Sequence, residues 1–205
     1  MKLFYSPNAC SLGIHIMLRE IGQPFELVRT ELHKGAQNTP EFRAINPKGK
    51  VPVLQRDDGS ILTEFPAITF YLARTNPAAN LLPADLEGEV RALELLDYMV
   101  ATVHMRGFTR LLRPSIFSTT PGDEEKVKQA GRAIAEEGIA NLSQRLGAKP
   151  YLMGDFSAVD CALFYLTLWA NTRAEVALPA NLAAHLARML ARPSVAQSLA
   201  AEGAA

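Results

Sequence analysis

A single β-hairpin constrains the fold of this 205-residue chain more than any other feature. Two short strand-like runs, Val51–Arg56 and Ser60–Thr63, are joined by Asp57-Asp58-Gly59, turn residues that tolerate positive φ. Ahead of the hairpin, Lys2-Leu3-Phe4-Tyr5 reads as a strand stopped by Ser6-Pro7-Asn8. From Ser11 the apolar residues Leu12, Ile14, Ile16, Met17, Leu18 and Ile21 predict a mostly buried helix that stops at Gly22. Phe25–Thr30 alternates at period two, as a half-buried strand does. A polar stretch, residues 31–38, leads to Thr39-Pro40-Glu41, a helix start with proline in its first turn. After the hairpin, Pro66–Thr75 predicts a helix with Ile68, Tyr71 and Leu72 on one face. The order β-α-β-α-β-β-α, with one hairpin inside it, implies a small mixed sheet and excludes a doubly wound parallel one.

The strand signal ends at Asn76. Turn residues fill the segment to Asp85, and only helical patterns follow. Glu87–Arg113 predicts one long helix with a kink near Gly107, and Asp123–Leu146 a second that Gly147 stops. Ser157-Ala158-Val159-Asp160 has capping-box spacing before the apolar run Cys161–Trp169. A helix over Leu182–Ala191 and a short one after Arg192-Pro193 complete the pattern. The expected domains are 1–77, a linker over 78–86, and an all-α domain over 87–205.

Charge and composition remove several classes of function. Twenty-one basic and 21 acidic side chains cancel, which weighs against a general nucleic-acid binder, whose phosphate contacts need a basic excess. With 48% apolar and 20% charged residues the chain is not disordered. No apolar run reaches the roughly 18–20 residues of a membrane helix, and the first seven residues do not read as a signal peptide. Two cysteines do not make a disulfide scaffold, so a soluble, cytoplasmic protein is expected.

Three turns carry the candidate chemistry. Cys10 lies between the first strand and the first helix, where the free N–H groups and dipole of a helix start favour thiolate and are expected to lower its pKa; the alternative is an inert, buried thiol. Cys161, inside an apolar helical run, reads as packing. Val51-Pro52 opens the hairpin. If its peptide bond is cis, the Val51 backbone turns outward to pair with a peptide-like ligand; an ordinary trans proline is the alternative. Glu64, at the edge of the third helix, either caps that helix or holds a ligand ammonium.

Together these motifs resemble the glutathione S-transferase superfamily, most closely its bacterial beta class, along essentially the whole chain. The resemblance rests on Lys2 to Ser11, on Asn46-Pro47-Lys48-Gly49-Lys50-Val51-Pro52-Val53-Leu54, on Leu62-Thr63-Glu64 with Ala67-Ile68, on Ser157-Ala158-Val159-Asp160, and on Arg192-Pro193. It implies an α+β, thioredoxin-like N-terminal domain with a mixed four-stranded sheet, an all-helical C-terminal bundle, a homodimer, and glutathione as cosubstrate. It also implies a cis bond before Pro52, Val51 as backbone partner of the cysteinyl unit, and Glu64 with the Phe65 N–H at the γ-glutamyl end. Lys34 is then expected at the glycyl carboxylate, Asp97 at the glutathione of the partner subunit, and Cys10 beside the sulfur, with Ser11 as a second donor.

The chain departs from the family pattern at two places. Phe65 and Pro66 follow Glu64, where the family has Ser or Gly. The family's His followed by Lys-Gly-Phe is one residue longer here, His104-Met105-Arg106-Gly107-Phe108, so matching from upstream selects His104 and matching from downstream selects Met105. The upstream match is preferred, with His104 facing the sulfur. An electrophile site is expected between the domains, along Met99, His104 and Arg106. No metal is expected, because His15, His33 and His185 lack partners at ligand spacing; His15 is expected to brace the Cys10 turn or to pack. The resulting expectation is a detoxifying enzyme that joins glutathione thiolate to small, largely apolar electrophiles. The alternatives are a glutathione-dependent thiol–disulfide oxidoreductase or other glutathione-dependent enzyme on the same fold, and a non-catalytic ligand-binding or interaction protein on this scaffold.

Overall fold

Strand β1 (Lys2–Tyr5) is the centre from which the N-terminal part is built. It pairs in parallel with β2 (Glu26–Arg29) and antiparallel with β3 (Val53–Gln55), which pairs antiparallel with β4 (Ile61–Thr63). The order β2-β1-β3-β4 is the mixed sheet that the hairpin requires. The computed structural model describes residues 1–203, which divide into two compact units: Met1–Leu82 together with the chain from Leu190, and Pro83–Met189.

In the first unit, α1 (Ser11–Ile21) buries Leu12, Ile14, Ile16, Met17 and Leu18, so it is a core helix and not an amphipathic one. Each such side chain contributes about 1.5–3 kcal/mol on burial. Gly22 ends the helix in the left-handed region, returning its N–H to the Leu18 carbonyl. Helix α2 (Pro40–Ile45) is capped by the Thr39 hydroxyl, and its Phe42 packs edge-on against Phe4 of β1. Helix α3 (Phe65–Thr75) buries Ile68 and Leu72, with Tyr71 only partly covered. The polar stretch before α2 forms two short 3₁₀ turns. The predicted strand over 51–56 is shorter than expected, since Val51 and Pro52 lie outside β3: proline has no N–H for the ladder, and the bond before it is cis.

The final helix, α9 (Pro193–Glu202), packs on α1 and belongs to this unit, where the expected boundary had put it in the helical domain. Polar contacts fix it. Arg192 forks both oxygens of Glu20, with Ser194 on the same carboxylate. Glu202 and His15 are fully buried and meet at 3.0 Å through Nδ1. Because Arg19 Nε donates to His15 Nε2 at 3.2 Å, that nitrogen is an acceptor and the ring proton sits on Nδ1, aimed at Glu202. His15 therefore joins α1 to α9 and does not brace the Cys10 turn.

The second unit contains α4 (Leu86–Asp97), a π-helical segment over Tyr98–Phe108, α5 (Thr109–Leu112), α6 (Glu124–Leu146), α7 (Ala158–Trp169), a second π segment over Ala170–Ala174, and α8 (Ala180–Leu190), whose last residue falls in the first unit. The expected single helix over 87–113 is thus continuous but changes hydrogen-bond period. Gly107 lies inside the π segment, and its lack of a side chain serves packing. A Cβ at Gly107 would lie 3.0 Å from the Ala135 backbone, and one at Gly131 would lie 2.6 Å from Leu111 N, so these glycines admit close approach of α6. The Ser157–Asp160 capping box forms as the spacing predicts. Asp160, fully buried, also takes the Leu152 N–H and His185 Nε2. Among the described residues no helix is long and apolar enough to cross a membrane.

Glu202→Ala leaves the buried His15 without its acceptor. It is expected to lower the unfolding free energy by about 3 kcal/mol in urea titrations. A loss below about 0.5 kcal/mol would contradict the role given to the pair.

Candidate functional site

The turn from β1 into α1 is closed by one hydroxyl. Ser11 Oγ accepts the Ser6 N–H at 3.2 Å and donates to the Ser6 carbonyl at 3.3 Å, and Ser11 is fully buried. These two hydrogen bonds engage the hydroxyl as both acceptor and donor, so Ser11 shapes the turn and does not present a donor to a ligand sulfur. Cys10 is the N-cap of α1, and its thiol donates to the Val51 carbonyl at 3.7 Å. Two loops far apart in sequence thus meet at one sulfur.

The expected lowering of the Cys10 pKa does not occur. Burial pushes the thiol up to about 12, outweighing the Cys10 and Ser11 backbone N–H groups and the Lys50 charge, which pull it down; Glu64 raises it further. At neutral pH Cys10 is a neutral donor. The helix-start effect is present but smaller than the desolvation that accompanies it.

The Val51–Pro52 peptide bond is cis, with Pro52 buried and Val51 half-buried. Among the described residues the Val51 N–H has no acceptor, and its carbonyl meets only the weak thiol donor. The preceding loop is tightly built. Asn46, almost fully buried, donates to the Lys50 carbonyl at 2.8 Å and accepts the Lys48 N–H at 3.2 Å. Arg43 donates to the Pro47 carbonyl and to Asn38, and its guanidinium lies where a Cβ on Gly49 would be, 2.6 Å away. Gly49 also has a φ of +63°, so both backbone and neighbour require glycine there.

Glu64 sits at φ 72°, a left-handed conformation that costs a non-glycine residue about 1–3 kcal/mol. Its carbonyl accepts the first helical N–H of α3, from Ile68, while its side chain makes no cap bond. The exposed carboxylate is ion-paired with Lys48, whose Nζ also reaches Thr63 Oγ1 at 2.6 Å. The strained backbone thereby turns an acid out of the helix start and toward a cation. Phe65 is buried at the first position of α3. Lys34 is exposed on the first 3₁₀ turn and has no ion pair among the described residues.

In the second unit His104 is half-buried against aromatic rings. Its Nδ1 lies 3.4 Å from the Tyr165 hydroxyl, and its ring is edge-on to Trp169 at 4.8 Å. Met105 instead offers its sulfur to the Thr109 hydroxyl at 3.8 Å. The Thr109 N–H reaches back five residues to the His104 carbonyl. The extra residue between His104 and Gly107 falls inside this π segment, whose wider turn is the kind of place where a helix takes up one added residue. Met99 is fully buried within this segment and offers no surface to a pocket; Arg106 and Asp97 are exposed.

Sequence reasoning placed Cys10, Val51, Pro52 and Glu64, which the first unit brings together. It assigned no role to Lys48, Lys50, Arg43 or Asn46, although two lysines flanking the glycine of a Pro-containing loop were a visible signal. No group of three or more His, Cys, Asp or Glu side chains is placed to hold a metal among the described residues.

Residues 8–75 match the family described as glutathione S-transferase, N-terminal domain. The chain is 39% identical to glutathione S-transferase GstA of Escherichia coli O157:H7, over 99% of both chains. Its structure is similar to that of the bacterial beta class glutathione S-transferase of Sphingomonas chungbukensis, with 36% identity, complete coverage of both chains and a TM-score of 0.84. A sphingomonad glutathione S-transferase complexed with glutathione gives 34% identity, complete coverage of both chains and the same TM-score of 0.84. With the thioredoxin-like sheet, the strained acid at the start of α3 and full-length similarity to these relatives, the chain belongs to the glutathione S-transferase family.

Proposed function

We propose that the protein joins glutathione, as the thiolate, to small and largely apolar electrophiles, in a detoxifying role. The observation that carries this reading is the meeting of Cys10 with the Val51 carbonyl, beside the Glu64–Lys48 pair. A tripeptide fits that arrangement group by group. The cysteinyl unit pairs with the Val51 backbone as an added strand. The γ-glutamyl ammonium takes the Glu64 carboxylate, and its carboxylate faces the start of α3 at Phe65. Lys34 meets the glycyl carboxylate, and Asp97 contributes to the glutathione of the partner subunit.

The neutral Cys10 thiol acts here as a donor to the glutathione sulfur. With the Lys50 charge and the N–H groups at the start of α1, it stabilises a thiolate that belongs to the ligand. Once that thiolate exists, the slow step needs no proton transfer, and attack depends on positioning. His104 serves as the polar group of the electrophile site. A homodimer is part of this reading, as the family resemblance implies, and the exposed Leu86 and Val90 on α4 are compatible with it. The cytoplasm is the compartment that supplies glutathione and keeps thiols reduced.

Two measurements test the reading. Removing the Glu64 carboxylate in Glu64→Ala is expected to weaken glutathione binding about tenfold or more by calorimetry, the worth of a charge-assisted bond; unchanged affinity overturns the assignment. Alkylation of ligand-free Cys10 by iodoacetamide is expected to accelerate steadily from pH 7 to 10 without a plateau, because a pKa near 12 leaves the thiol protonated across that range. A midpoint below about 8 would instead favour Cys10 as a redox nucleophile and the oxidoreductase alternative.

A further inference from the structure

The cation that faces Glu64 is held by its backbone and left open at its charged end. The Lys48 N–H donates to Oδ1 of the almost fully buried Asn46 at 3.2 Å, and the Gly49 N–H donates to the Asn46 carbonyl at 2.9 Å. Arg43 donates to the Pro47 carbonyl just before it. The Lys48 side chain is about half exposed, and its ammonium donates to Thr63 Oγ1 at 2.6 Å and to Glu64 Oε1 at 2.5 Å. A solvated pair of this kind contributes little to stability, so another ion can take either partner at small cost. The left-handed backbone of Glu64 costs more than such a pair returns, which is the pattern of a residue kept for a ligand.

The start of α3 is short of donors. Pro66, at its second position, has no N–H, and the Ile68 N–H is already taken by the Glu64 carbonyl. The Phe65 side chain has no polar atom. A carboxylate placed there meets fewer donors than an ordinary helix start offers, and Lys48 is the cation bonded to the residue beside it. The α-amino acid end of glutathione carries an ammonium and a carboxylate on one carbon. Glu64 and Lys48 carry the two opposite charges on neighbouring side chains. The glycyl end, with a carboxylate alone, has no such match to the pair.

We propose that Lys48 is a specificity residue that changes partner on binding: it leaves Glu64 for the γ-glutamyl carboxylate, while the γ-glutamyl ammonium takes its place on Glu64. The inference rests on the glutathione-conjugating function and names the class of thiol that this site admits. One ion pair is exchanged for two, and every charge has a partner before and after binding. A thiol without the carboxylate strands Lys48. A thiol without the ammonium leaves Lys48 on Glu64 and its own carboxylate unmet. The site therefore selects thiols with an unmodified α-amino acid end over their N-acylated or decarboxylated analogues.

The test is calorimetry with glutathione and with 4-aminobutanoyl-cysteinylglycine, which keeps the ammonium and lacks the α-carboxylate. The unmodified protein is expected to bind glutathione about tenfold more tightly than the analogue. In Lys48→Met that preference should shrink about fivefold, because glutathione loses a cation and the analogue loses only a competitor for Glu64. Lys48→Arg, which keeps the charge, should largely retain it. A preference that Lys48→Met leaves unchanged, including the case where both ligands bind more tightly by the same factor, overturns the exchange and makes Lys48 a competitor only. Equal binding of the two ligands by the unmodified protein also overturns the exchange, and leaves glutathione as the cosubstrate. No binding of glutathione at all overturns the enzyme reading and the exchange with it. Lys48→Gln, which keeps a polar side chain, repeats the comparison if the methionine variant folds poorly.

Discussion

The reciprocal hydrogen bonds between Ser11 and Ser6 are the constraint on which the candidate site depends. They close the turn between the central strand and the core helix, and so fix where the N-cap of α1 stands. Cys10 occupies that N-cap, and its thiol meets the Val51 carbonyl. The loop carrying Val51 is separately fixed by Asn46 and Arg43, and hairpin register carries it on to Thr63 and Glu64. A displacement at Ser11 would therefore reach the sulfur and, through the sulfur contact, the loop that pairs with a peptide. In the proposed function this is why a serine with no direct contact to the ligand belongs with the site.

Cys10 shows how two effects of one location compete. A helix start supplies N–H groups and a favourable dipole, but the turn that places the cysteine there also removes it from water. Desolvation prevails, and the thiol stays protonated at neutral pH, which in the proposed function makes it a donor to the ligand sulfur. The sulfur that must be anionic is then the one that arrives with glutathione.

Much of the fold was legible in the sequence because its signals are local. The Asp57-Asp58-Gly59 turn set the hairpin, Gly22 and Gly147 stopped their helices, and Ser157 with Asp160 announced a capping box that forms as expected. Features that depend on contacts distant in sequence were not legible. Nothing near Glu202 marks it as the partner of His15, 187 residues away, so the last helix was assigned to the wrong neighbours. Burial of Met99 and engagement of the Ser11 hydroxyl are likewise tertiary facts. The π segment is intermediate: the extra residue between His104 and Gly107 was visible, but its absorption by a wider turn required the backbone. At the site, residue types at Cys10, Val51 and Glu64 carried the message, while Lys48 and Lys50 had no assigned role until the structure put them beside a carboxylate and a thiol.

In the proposed function Val51, Glu64 and Cys10 address three groups of one tripeptide. A crystal structure of the protein with glutathione tests it most directly. The account predicts that the cysteinyl backbone pairs with Val51, that the γ-glutamyl ammonium replaces Lys48 on the Glu64 carboxylate, and that the ligand sulfur rests against the Cys10 thiol. Glutathione bound away from these residues, or with Lys48 still on Glu64 and the ammonium elsewhere, would contradict it.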